Sequence, residues 1–277
     1  MTLSTRNNFF KGGIIFGAVS AGLIAAGGYF AFPAFPASAV SAAMRSGGIA
    51  QQLLGSFSSP DAYVPFWTML SAVAFSFISI TLIYYFFEKT QSPEILFFGF
   101  FVISLSFEFA RIVIPLKGIF AFPAMYLITA SRVLLFGRYF GLFSLFAAGV
   151  YAAGLDVQKQ KYIFIMQILS ALVITFNVPI DSLVWDSSLK MLSGYSSMFI
   201  MVETGILVIT LATFFISAYI RSSASYALIG IGVFLVYAGR DILLNSDTWV
   251  TLVPGLLLLI AGTWFVCSRL HRIYLWL

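Results

Sequence analysis

Seven charged residues stand where charge is costly: Glu108, Arg111, Arg132, Arg138, Glu203, Arg240 and Asp241 each interrupt a long apolar run. A charged side chain at the centre of a bilayer costs about 2.5–3.5 kcal/mol on insertion scales, so such residues normally face a bundle interior and pair. Glu108 and Arg111, in the stretch SFEFARIVIPLK, are three apart and share a helix face, which places them to neutralise each other. Arg240 and Asp241 are adjacent and point in different directions, so each needs a partner on another helix. Glu108, Glu203 and Asp241 set against Arg111, Arg132 and Arg240 give three charges of each sign. These six are the candidate ligand-binding residues. They can close on themselves as an ion-pair network that fixes helix register, or line a polar cavity for a small polar or charged ligand. Snorkelling to the interface is a third use, best suited to Arg111 and Arg240.

The missing residue types narrow the chemistry. The lone histidine, His271, lies in the tail, so no span holds a base for serine hydrolysis. With one cysteine, Cys267, an intrachain disulfide has no partner, and one His plus one Cys are too few for a zinc-type centre. There is no GxxxxGK[ST] phosphate loop. The aspartates at 61, 156, 181, 186, 241 and 247 stand singly, so paired-aspartate chemistry on isoprenoids or lipid head groups has no site. The last two spans contain no lysine for a bound chromophore. The expectation is a non-enzymatic protein with no cofactor and no metal.

The elements that must position these charges follow from composition. The chain has 277 residues, 61% hydrophobic and 9% charged, against about 25% charged for a soluble domain. An all-α, polytopic transmembrane helical bundle is expected. Spans of roughly 20 apolar residues are placed near 12–32, 64–87, 93–116, 121–154, 162–180, 198–220, 225–244 and 248–268. These make one N-terminal helix plus a seven-helix unit. The fourth is too long for one upright helix and too short for two, so it reads as a long, tilted or broken helix starting after Pro123.

Organisation follows as a single integral membrane domain. Residues 1–39 form an anchor or signal-like helix, 40–62 an interfacial segment with a weakly amphipathic stretch at 40–57, 63–268 the bundle, and 269–277 a short tail. A basic start, an apolar run and Ala37-Ser38-Ala39 resemble a cleavable signal. The run is longer than usual for that role, so an uncleaved anchor is the favoured alternative. With the N-terminus inside, Arg6, Lys11, Lys89, Lys159, Lys161, Arg221, Arg269 and Arg272 become cytoplasmic, leaving only Arg45, Lys117 and Lys190 outside. Both termini are therefore expected in the cytoplasm, and a bacterial inner membrane is the expected location. The net charge of +5 reflects this asymmetry and implies no nucleic-acid partner.

At about 1.5 Å of rise per residue, Glu108, Arg111, Glu203, Arg240 and Asp241 all fall in the outer half of their spans. Arg132 falls nearer the middle and Arg138 toward the cytoplasmic half. An outer charged layer on helices with little loop mass reads as a sensor- or receptor-like module that binds an external ligand or partner and couples to a separate protein in the membrane or cytoplasm. A small-solute or ion transporter and a structural subunit of a membrane complex are the other two readings.

Overall fold

The computed structural model describes residues 3–32, 61–180 and 183–275. Among them run eight helices long and apolar enough to cross a bilayer. They are α1 (Leu3–Ala31), α2 (Val64–Phe87), α3 (Pro93–Phe120), α4 (Ala124–Ala152), α5 (Gln160–Asn177), α6 (Ser196–Ile220), α7 (Ala224–Asn245) and α8 (Trp249–Leu275). Consecutive helices alternate in direction. The chain therefore has a terminal end, where α1 begins and α8 finishes, and a loop end, where residues 183–195 join α5 to α6. The cleavage-like Ala37-Ser38-Ala39 and the amphipathic stretch 40–57 lie outside the described residues.

Helix α3 is the axis of the bundle. Of its most apolar window 78% is buried, against 22% for α5, α6 and α8. Its start is written locally: Ser92 accepts a hydrogen bond from the Ile95 amide, Pro93 fills the first turn, and Glu94 lies there too, favoured by the helix dipole. The phenylalanines that follow are core. Phe97 stacks on Tyr151 of α4 at 5.1 Å, and Phe100 meets Phe164 of α5 at 4.8 Å.

The irregular helix is α3, not the fourth span. Helix α4 is continuous over 29 residues, whereas α3 is α-helical at Pro93–Ser104, 3-10 at Leu105–Ile112 and α-helical again from Val113. Eight residues is long for 3-10 winding, which rarely exceeds three or four. Two local causes bracket it. The Ser104 hydroxyl donates back to the Phe101 carbonyl at 2.6 Å, and Pro115 has no N–H to give the Arg111 carbonyl and crowds that turn. Helix α8 winds on to Leu275, and Tyr274 donates to buried Glu94 at 2.7 Å.

Helix α1 packs on α2 and α3 through a stripe of small residues, including Gly13, Gly17 and Gly27. At the terminal end Arg6 donates to the Phe87 and Glu88 carbonyls, both at 2.7 Å, and so caps α2. The closest seam joins α7 to α8. Gly232 and Gly239 stand seven apart on one, Gly255 and Gly262 seven apart on the other. A Cβ on Gly262 would sit 2.7 Å from both the Gly232 carbonyl oxygen and the Val236 amide nitrogen. Backbones approach this closely only where side chains are absent.

Candidate functional site

The 3-10 segment is what aims the charges. In a 3-10 helix residues three apart eclipse one another, so Leu105, Glu108 and Arg111 fall in one line. All three line a cavity shared with Arg240 of α7. Arg111 donates to Glu108 at 3.1 Å, and their side chains are only 1% and 5% exposed. The pair expected from the sequence is therefore present and buried.

Arg111 has a second bond, from Nη2 to the Ser188 backbone carbonyl in the loop. Residues 183–195 form a compact hairpin over this end of the bundle. The Asp186 amide donates to Lys190 O at 2.8 Å, the Leu192 amide donates to Val184 O at 2.9 Å, and Trp185 bridges Met191. The Asp186 carboxylate holds the turn by accepting from the Ser188 and Lys190 amides at 3.1 and 2.9 Å. Leu189 at the tip is buried and takes a positive φ of 57°, a strained conformation for a branched side chain. Further ties run to the end of α7 and to the turn between α7 and α8. The Ser187 hydroxyl donates to Asp247 at 2.7 Å, and Lys190 donates to Asn245 and lies 3.6 Å from Asp186. Burial holds the Lys190 ammonium below the usual lysine value, with Asp186 pulling the other way. Lys117 of α3 rests 5.6 Å over the Trp185 ring.

On the far side of Arg240 lies a second group. Arg138 of α4 pairs with Glu203 of α6 at 2.5 Å and with Asp241 of α7 at 3.5 Å. Arg240 donates from Nη1 to the Arg138 carbonyl at 2.9 Å and is 3% exposed. Its guanidinium crosses α4 over Gly141, where an added Cβ would come within 2.8 Å of Nη1. Arg240 borders two cavities of about 10 Å³ each, one with Glu108 and Arg111, the other with Arg138, Glu203, Tyr237 and Asp241. Each has room for about one water.

Five of the six candidate residues thus converge: Glu108, Arg111, Glu203, Arg240 and Asp241. The sixth does not. Arg132 lies against α5, with its guanidinium 5.1 Å over the Phe176 ring and Nη1 3.4 Å from the Phe176 carbonyl. Arg138 takes its place. Depth alone misleads here, because a long arginine reaches several ångström along its helix and Arg138 extends toward the loop end. Helix phase is the better signal. Leu127, Ser131, Leu134, Arg138, Gly141, Leu145 and Ala148 recur at spacings of four and three, the stripe of a packed helix. Arg138 is on that stripe and Arg132 is one residue off it. Snorkelling is excluded for Arg111 and Arg240, which are 2% and 3% exposed.

The fold defines the chain as a multi-pass, integral membrane protein. Compared with models of protein families, with curated proteins and with solved structures, it matches none.

Proposed function

We propose that this is a non-enzymatic sensor- or receptor-like membrane module, with the loop end facing outside and the terminal end meeting a separate cytoplasmic or membrane partner. The observation that carries the reading is the double engagement of Arg111. One nitrogen holds the hairpin at Ser188, another holds Glu108 in the 3-10 segment of the most buried helix. A ligand or partner that shifts the hairpin pulls on the one stretch of α3 whose winding departs from the α-helix, and mid-helix 3-10 stretches often serve as hinges. The other end of α3 bears Glu94, bonded to Tyr274 of α8, so a change in α3 reaches the terminal end within one helix. A solute path would need an opening continuous with both ends. The layer offers room for about one water on either side of Arg240, which favours sensing over transport.

Hydrogen exchange on the full chain in lipid nanodiscs tests this. Arg111→Gln should raise exchange not only at 105–112 and 183–192 but also at 93–100 and 268–275, at the terminal end. Change confined to the first two segments, or saturable solute flux in proteoliposomes, would sink the proposal.

A further inference from the structure

Weighed by burial, the charged layer is not neutral. Glu108 and Glu203 are 5% exposed, whereas the third carboxylate, Asp241, is 43% exposed and shares its charge with the surroundings. Three arginines thus face two enclosed carboxylates. Arg111 is matched to Glu108 and Arg138 to Glu203. Arg240 is the remainder: among the described residues no carboxylate lies within 4.0 Å of it. A buried guanidinium without a counter-charge is strongly disfavoured.

Two more observations point at one spot. The Nε–H groups of Arg240 and of Arg111 are both buried and without an acceptor, although buried donors are nearly always satisfied. Arg111 and Arg240 both line the same cavity, whose other charged lining is Glu108, so the residues of its wall carry a net charge of one positive unit. The rest of the wall is mostly aliphatic, with Ala72, Leu105, Leu243, Leu244 and Leu259, and the Thr68 hydroxyl is committed to the Pro65 carbonyl at 2.7 Å. Low polarity strengthens the attraction of cations for an anion. At about 10 Å³ the space takes one small sphere, too little for a carboxylate, phosphate or sulfate.

We propose that a single halide ion, ordinarily chloride, sits between Arg111 and Arg240 beside Glu108, accepting from the two idle Nε–H groups and supplying the missing charge. This inference uses the same layer as the signalling proposal but needs only its geometry, so the two can fail separately. The test is thermal unfolding of the full chain in nanodiscs at constant ionic strength, with gluconate replaced stepwise by chloride or bromide. The melting temperature should climb by about 2–3 °C for each tenfold rise in halide above its dissociation constant. Sulfate should have no such effect, and Arg240→Gln should abolish the halide dependence. If that variant does not fold, crystals of the unaltered protein grown in bromide decide, through an anomalous peak between the two guanidiniums. Equal melting temperatures in gluconate and chloride, or bromide crystals without that peak, overturn the halide site. Halide binding with Arg111→Gln exchange confined to the loop end would leave the ion and remove the signalling role.

Discussion

Helix α7 shows two ways of making a helix contact, on neighbouring residues. Gly239 faces α8 across a seam so close that backbones touch, while Arg240 reaches the opposite way into a layer of charges and small cavities. Along the seam an added Cβ at Gly232, Gly239, Gly255 or Gly262 would come within about 3 Å of atoms of the facing helix. The charged layer has long side chains, two idle buried donors and two water-sized gaps. Under the proposed sensing role, a bundle that responds at one place needs a fixed frame elsewhere, and the α7–α8 pair is the candidate for that frame.

The largest loss is expected at the seam. Gly262→Leu puts a side chain into backbone atoms of α7 that cannot rotate away, so we expect a loss of about 5 kcal/mol or more, read by unfolding in mixed micelles. Ordinary stability for that variant would mean the seam is not the frame. In the layer, Arg138→Met leaves Glu203 buried without its partner and should cost about 3–5 kcal/mol. The double variant Arg138→Met/Glu203→Met should recover most of that, because removing both charges also removes the buried orphan. Arg132→Gln should cost under about 1 kcal/mol, since that guanidinium rests on the Phe176 ring and carbonyl, and a larger loss would return Arg132 to the site. The smallest expected effect concerns pH. With the folded Lys190 value held below the usual 10.5, the native state binds fewer protons than the unfolded one in the window just under 10.5. Stability contributed by this group therefore rises with pH there, and Lys190→Met should flatten the slope in alkaline unfolding curves.

Several of these features can be read from the residues. Span 64–87 matches α2 end to end, since hydropathy sets where a helix enters and leaves a bilayer. The Glu108–Arg111 pair follows from a spacing of three. Arg138 required the phase of α4 against its neighbours, which depth counting ignores and the four-three stripe of small and apolar residues would have supplied. The winding of α3 was hidden for a different reason. Ser104 and Pro115 are common in membrane helices and most leave the ladder α-helical, so neither alone announces eight residues of 3-10 helix. Gly239, Gly255 and Gly262 were equally silent, because a glycine says nothing about which helix comes close to it.

The stretch Leu105–Ile112 has a mechanical consequence. A 3-10 residue advances about 2.0 Å and turns about 120°, an α-helical residue about 1.5 Å and 100°. Each residue that rewinds therefore retracts the helix by about 0.5 Å and rotates what lies beyond it by about 20°. Helix α3 is built like a lead screw with its nut at the charged layer. If the proposed signalling role holds, a small axial tug from the hairpin would emerge at the far end as rotation, and a partner gripping that end would feel torque.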